Sequence, residues 1–477
     1  MHIAFLNPQG NFDTADSYLA EHPDFGGQLV YVKEVAQAMA AMGHKIDIVT
    51  RKIDDPEWPE FSSAIDAYQG FEENLRILRF PCGGAKFLGK EELWPHLEEF
   101  VRNMLDFYGD DLPDFATAHY GDGGYCAVLA KSLAGIGFTM TGHSLGAQKF
   151  DKLGTTLANV DAMEERYCFS RRIAAERLSM REAYRIITST EQERREQYSH
   201  PLYAGAVDVD EPGKFSVIPP GVNTRIFTTD KSDIDATVKE KLDTKFNGVD
   251  GPVVLVSSRL DEKKNIIGVV QAYAQSEDLR GEFPLVLCVR GVDDPFTEMD
   301  HLAEEEQKVL KPILDLIEEI GIRDRVHFLN IQSQKELAAT YRYFGERGSV
   351  FALTAFYEPF GLAPIEAAAC GLTQVATKNG GPSEIFEGGT GILVDPFEPQ
   401  NIAQGLLEGL KRHAELSPMA IRHVHDTYTW QRTAKSYLEA ISDGFKGKHT
   451  LGAAVPELGD SARIADYLNT VETKSPS

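Results

Sequence analysis

At 477 residues the chain is longer than one hydrophobic core usually organises, so two domains are expected. Its 73 acidic residues against 48 basic ones give a formal charge of -25, which excludes broad electrostatic binding to nucleic acid or to an anionic membrane surface; an anionic ligand would need a local basic pocket. The start MHIAFLNPQG lacks the basic region and unbroken apolar run of a signal peptide, and no stretch of about 18 apolar residues exists to span a bilayer, so the chain reads as cytoplasmic with no membrane partner.

In chain order, the run IAFL is followed by a glycine-containing loop, then by helical spacing of Leu29, Val32, Val35, Ala36 and Met39, then by IDIV. That is strand, helix, strand. Strand candidates recur at LRILRF, FATAHY, FTMTGH and RIITST, separated by helical periodicity, which predicts an α/β fold with a parallel sheet covered by helices. The acidic, glycine- and proline-bearing stretch before FSVIPPGVNTRIF ends this series, placing a first domain at residues 1–215. A second doubly wound domain, 216–445, is read from GPVVLVSSRL, FPLVLCVRG, RVHFLN, SVFALTAF and LTQVAT, with its last helix free to cross back to the first domain. Residues 446–477, rich in small and polar types, read as a poorly ordered tail apart from a short periodic piece near Ile464–Leu468. The five cysteines are scattered without CxxC or Cys/His spacing and read as free thiols, so neither a disulfide framework nor a zinc site is implied.

Three stretches carry candidate chemistry. In HPDFGGQLVYVKEV, Gly26 and Gly27 precede a helix, where exposed N–H groups and the helix dipole favour an anion, although a glycine pair there also serves plain turn geometry. In FALTAFYEPFGLAPIEAAACGL a strand runs into a loop with Glu358, Phe360 and Gly361, then into a helix with Leu362 and Glu366. Either glutamate alone would serve as a dipole partner, but the proline and glycine loop presents backbone donors at a strand's carboxyl end, where open α/β sheets bind ligands. SSRLDEKKN brings Arg259 and Lys264 to the same sheet edge, and two cations at that spacing suit a diphosphate. The DxD strings Asp208/Asp210 and Asp233/Asp235 read as solvated charge, so no metal site is expected.

The motifs FLNPQGNF, HPDFGGQLVYVKE, HYGDGG, TGHSLGAQK, RRIAAERL, SVIPPGVNTRIF, SSRLDEKKN and EPFGLAPIEA together resemble the retaining glycosyltransferases of the sucrose synthase and sucrose-phosphate synthase type, from Met1 to about Gly444. The resemblance implies a GT-B fold, two facing Rossmann-like doubly wound domains with the active site in the cleft between them. It implies that Arg259 and Lys264 bind the donor diphosphate, Glu366 the ribose hydroxyls and Glu358 the hexose, assisted by Gly27 and the backbone of Phe360, Gly361 and Leu362. The nucleotide base would lie near Asn330–Glu336, and His143 would bond the donor sugar beside the reacting centre. For the acceptor, Lys149 and Arg172 match phosphate-binding positions, while Gly26, Gln28, Lys86, Tyr120 and Ser144 would complete that subsite. Any of these bases could instead be a salt-bridge partner, as Arg172 could be for Glu176. The implied reaction transfers glucose from UDP-glucose to fructose 6-phosphate, needs no metal or other cofactor, and leaves a phosphate for a separate sucrose-phosphate phosphatase. GDP-mannose as donor (mannosylfructose-phosphate synthase) and free fructose as acceptor (sucrose synthase) stay open.

Two readings from other classes compete. GHSLG matches the GxSxG nucleophile elbow of α/β-hydrolases, with Ser144 as nucleophile and His327, His423 or His425 as partner. The second is a two-lobed sugar-phosphate binding protein without catalysis, which the fold class would also permit.

Overall fold

In the computed structural model, which describes residues 1–9, 11–17, 27–246, 251–445 and 458–474, the run His2–Leu6 forms the first strand, β1, buried along its whole length. Its side chains alternate between two cores, Ile3 and Phe5 into one and Ala4 and Leu6 into the other, as a strand covered on both faces requires. The sheet around it continues with β2 (Lys45–Arg51), β3 (Ile65–Asp66), β4 (Leu75–Phe80), β5 (Phe115–His119), β6 (Phe138–Thr141), β7 (Arg185–Thr188) and β8 (Phe215–Val217). The order is β3-β4-β2-β1-β5-β6-β7-β8; β3 alone runs antiparallel, on the edge beside β4. The residues that set the expected first helix, Leu29, Val32, Val35, Ala36 and Met39, all enter the core on the Ile3 face from the helix Gly27–Ala41.

The second sheet contains β9 (Val254–Ser257), β10 (Leu285–Cys288), β11 (Val326–Leu329), β12 (Val350–Leu353), β13 (Thr373–Thr377) and β14 (Ile392–Val394), all parallel, in the order β11-β10-β9-β12-β13-β14. Here too alternate residues feed opposite cores, Val254 and Val256 on one face, Val253 and Leu255 on the other. Each sheet reverses its strand order at the centre, between β1 and β5 and between β9 and β12, and the carboxyl ends flanking such a reversal are where open α/β sheets receive ligands. The short strands β3 and β14 carry too few residues to show an alternation and are not legible in the sequence.

The chain divides into Met1–Ile218 with Trp430–Ser477, and Pro219–Thr429. The first break falls in the IPPG turn, three residues beyond the expected 215/216 boundary. The helix Trp430–Phe445 belongs with the first unit: Trp430, Ala434 and Tyr437 are buried in the same core as Leu29 and Val32. The tail corrects the expectation of poor order in part. Residues 446–457 and 475–477 lie outside the described residues, but Ser461–Lys474 is a helix whose Ile464 and Leu468 are buried in the first unit's other core. Ile464, Tyr467, Leu468 and Val471 fall at the spacing of one helical face, a stripe that the surrounding polar composition masks.

Candidate active site

In the C-terminal unit, the loop after β9 turns through the short helix Glu262–Lys264, where the Asp261 side chain accepts from Lys263 N (3.0 Å). Asn265 then adopts a left-handed conformation and donates from its buried amide to the carbonyls of Thr354 (3.1 Å) and Pro396 (2.8 Å), tying this loop to those after β12 and β14. The tie places Lys264 Nζ 2.5 Å from Glu358 Oε2, while Arg259 stays exposed on the same loop. The first and fourth strand loops of this sheet therefore meet as a cation–carboxylate pair at the strand-order reversal.

The loop bearing Glu358 is fixed by backbone. Its N–H donates to Asn379 O (3.1 Å), and its carbonyl accepts from Gly381 N (2.9 Å). The approach leaves no room for side chains: a Cβ on Gly380 would lie 2.0 Å from Glu358 O, and one on Gly381 would lie 2.2 Å from Phe360 O. These two glycines were missed in the sequence, although LTQVATKNGGP shows the same signal as Gly26 and Gly27, a glycine pair before a helix. Gly361, at φ 110°, opens the helix Leu362–Ala369 and, as a glycine, gives its first N–H groups no side-chain cap. Phe360 packs edge-on against Tyr428. Glu366, one turn into the helix, is half-buried with neither a cation nor a donor acting on it, and burial pushes its carboxyl up to about 8. In the Asn330–Glu336 loop, Asn330 Oδ1 accepts from Gly291 N (3.0 Å) and Ser333 caps the following helix by accepting from Glu336 N (3.2 Å).

In the N-terminal unit, three loops follow β1, β5 and β6. Asn7, just after β1, accepts from Gln28 Nε2 (3.2 Å) at the start of the helix Gly27–Ala41; Gly26 lies outside the described residues. Beside them, the first turn of the helix Tyr120–Ala134 packs so closely on β1 that a Cβ on Gly123 would lie 2.4 Å from Leu6 O. Next to that glycine, Asp122 is buried with Oδ1 accepting from Gly123 N (2.7 Å), and burial raises its carboxyl to about 7. Arg172 is buried: its guanidinium lies 4.5 Å from the centre of the Tyr120 ring and donates to Glu176 Oε1 (3.0 Å) and to the carbonyl of Ser144 (2.6 Å). The same Glu176 accepts from Gly146 N at the start of the helix Gly146–Lys152, and Tyr203 OH also bonds it. Arg172, Tyr120 and Ser144 thus come together, with Lys149 on the adjoining helix over the Tyr167 ring at 4.3 Å. Lys86 is exposed on a separate loop, which the buried Arg51 organises through the carbonyls of Cys82, Gly84 and Lys86.

His143 sits at the end of β6 in a left-handed conformation, φ 56°. A non-glycine residue there carries strain on the order of 1–3 kcal/mol, which the surrounding structure must offset. In a nucleophile elbow the strained residue is the serine. Here it is His143, while Ser144 is exposed and spends its carbonyl on Arg172. The geometry of an elbow nucleophile is absent, and His423 is committed to the carbonyl of Ile385 (2.9 Å).

Asp235 corrects the reading of the second DxD string. It takes a two-pronged ion pair from the buried Arg342 (2.7 Å each), which holds its carboxyl down to about 2. Asp208, Asp210 and Asp233 are exposed. Among the described residues no group of three or more His, Cys, Asp or Glu is placed to hold a metal ion, and no helix is long and apolar enough to cross a membrane.

Two doubly wound parallel-sheet units, each with a strand-order reversal at its centre, have the architecture of the GT-B glycosyltransferase fold. Residues 1–245 match the family of the sucrose synthase first GT-B domain, and residues 238–421 match the glycosyl transferases group 1 family. A probable sucrose-phosphate synthase of Thermosipho melanesiensis is 46% identical over 92% of this chain and 96% of its own length. The chain spans about half the length of the plant relatives that it matches. The chain belongs to the sucrose-phosphate synthase family and is an enzyme of the glycosyltransferase class. Among solved structures, a sucrose-phosphate synthase from Thermosynechococcus elongatus matches with a TM-score of 0.66 at 24% identity, over 93% of this chain and 99% of that one. Anabaena HepE in complex with UDP matches at 0.61 and 17%, over 93% and 100%. Both likenesses concern the fold.

Proposed function

We propose that the protein transfers glucose from UDP-glucose to fructose 6-phosphate with retention of configuration, giving sucrose 6-phosphate and UDP. The observation that carries this reading is the cluster at the strand-order reversal of the C-terminal unit: Arg259 and Lys264 after β9, with Glu358, the helix start at Leu362 and Glu366 after β12. The 46% identical relative is described as a probable sucrose-phosphate synthase, and a protein of the same fold binds UDP.

In this reading Arg259, Lys264 and the N–H groups of Gly361 and Leu362 take the diphosphate. As the bond from the anomeric carbon to the phosphate oxygen breaks, the sugar ring becomes oxocarbenium-like and the leaving oxygen gains charge. Fixed cations and amides beside that oxygen lower the barrier because they need no reorganisation as the charge develops. Glu358, oriented by Lys264, takes hexose hydroxyls, and Glu366 accepts from the ribose hydroxyls. The acceptor hydroxyl attacks on the same face, its proton passing to the departing phosphate oxygen, so no side-chain nucleophile is required. His143 bonds the donor sugar, with Gly27 beside the diphosphate.

On the acceptor side, Arg172 and Lys149 supply the positive charge a sugar phosphate needs in an acidic protein, with Gly26, Gln28, Lys86, Tyr120 and Ser144 around the sugar. Because Arg172 is already bonded to Glu176 and Ser144, it offers a pre-oriented edge rather than a mobile charge. The fixed cations do the work a metal ion would do, so chelation is expected to leave turnover unchanged. The phosphate on the product is left for a separate phosphatase. The test is a matrix of UDP-glucose, ADP-glucose and GDP-mannose against fructose 6-phosphate and fructose, read as nucleoside diphosphate release. UDP-glucose with fructose 6-phosphate should be fastest; faster release with free fructose or with GDP-mannose would overturn the assignment.

A further inference from the structure

His119, also in the N-terminal unit, has no place in the reading above, yet it lies within hydrogen-bond distance of the His143 ring. It ends β5 and is buried, its ring stacked flat on Phe5 (5.6 Å, 5°). The parallel register of β5 and β6 sets His119 opposite Thr141, two residues before His143. As a result His119 Nδ1 lies 2.9 Å from His143 Nε2, and His119 Nε2 lies 3.3 Å from Thr117 Oγ1 on its own strand.

We infer that His119 is a positioning residue of the glycosyl transfer, fixing the ring orientation and a single tautomer of His143 through the bond from Nδ1 to Nε2. Two neutral imidazoles joined by one N–H···N bond share one proton between them, so the state of the first determines which nitrogen of the second is protonated. Burial pushes the His143 imidazole down to about 3 and that of His119 well below its ordinary range, which keeps both neutral at working pH. A further ring contact among the described residues acts on the shape of the site: the Tyr31 ring meets His143 edge-on at 5.0 Å, and Tyr31 is in turn braced by Trp430. Aromatic edges restrict where the ring sits but carry no tautomer preference, so the proton arrangement falls to His119. The left-handed backbone at His143 is consistent with a ring held in one pose, since strain of that kind persists only where the surroundings over-determine it.

The inference rests on the proposed role of His143 at the donor sugar, and the experiment separates the two. His119→Phe keeps a flat ring for Phe5 and removes the nitrogen; His119→Asn restores an amide near the place of Nδ1, whereas His119→Gln puts its amide near Nε2. In full-length protein, kcat should fall on the order of tenfold to a hundredfold in the Phe and Gln variants with both KM values nearly unchanged, and recover in the Asn variant. Imidazole ¹⁵N spectra, assigned by loss of signal in His143→Gln, should show one tautomer of His143 in the parent and in His119→Asn, and an averaged pair in His119→Phe. Unchanged His143 nitrogen shifts in His119→Phe, or equal kcat losses in the Asn and Gln variants, would overturn the inference. A parent protein that releases no UDP would instead defeat the functional reading, and the spectra would still decide the positioning role.

Discussion

Lys264 and Lys149 make a useful contrast, because each is assigned to a phosphate but each is presented by different physics. Lys264 is drawn to a carboxylate on a neighbouring loop, and both loops are fixed by bonds to main-chain carbonyls: the Asn265 side-chain amide to two of them and Gly381 N to that of Glu358. Lys149 lies over an aromatic face on a helix whose first N–H is occupied by Glu176. The donor half is therefore organised around charge at the ends of strands. The proposed acceptor half is organised around buried side chains, with Arg172, Tyr120, Glu176 and Tyr203 locked together. Stabilising a charge that appears during bond breaking calls for the first arrangement, and recognising a charge present from the start is served by the second.

That contrast can be broken by exchanging losses. The largest effect is expected at Lys264: Lys264→Ala should lower kcat about 10²–10³-fold, the range for removing one fixed donor from a developing charge, and leave the KM for fructose 6-phosphate little changed. Steady-state kinetics with the donor saturating would check it. If the acceptor KM rises instead, the division between the halves fails. Next in size, Lys149→Ala should raise the KM for fructose 6-phosphate about 10- to 100-fold, matching the loss of one hydrogen bond to a charged group, and spare donor binding measured by calorimetry with UDP. A fall in kcat alone would move Lys149 out of the phosphate subsite.

The smallest effect sharpens the comparison through pH. Glu366 is raised to about 8 when folded, so the unfolded chain releases this proton at lower pH than the folded one. Its contribution therefore becomes less favourable as pH rises from about 4.5 to 8 and is level above that. Glu366→Gln should remove this slope: the variant's Tm, relative to the parent, should be higher at pH 8 than at pH 5, while UDP affinity weakens. A Tm difference independent of pH would mean the carboxyl ionises normally.

The loops of the proposed donor site were legible because their signals are local. A strand, a loop with two cations, another strand and a loop with glycine and two glutamates each lie within about twenty residues, and parallel sheets bring such loops to one edge. The parts that escaped depend on register or on distant partners. His119 and His143 meet because β5 and β6 pair in one frame, which no stretch of sequence states. Asp235 looks like solvated charge until Arg342, more than a hundred residues later, is placed beside it. Gly380 and Gly381 went unread, because what they avoid, the carbonyls of Glu358 and Phe360, appears only when the two loops are packed. The acceptor residues came from likeness to a family, and their buried supports, Glu176, Tyr203 and Arg51, have no sequence mark beyond the Arg172–Glu176 spacing.

The helix Ser461–Lys474 ties the far end of the chain to the helix that carries Lys149. Its Tyr467 hydroxyl donates to both oxygens of Asp151 (2.9 Å each), two residues from Lys149, and its ring packs near Phe150, while His200 bonds the same carboxylate (2.9 Å). A chain shortened to Phe445 would lose that clasp and bare the apolar seat of Ile464 and Leu468. Protein engineers trimming what reads as a dispensable polar terminus would thereby loosen the neighbourhood of Lys149 and invite aggregation at the same stroke.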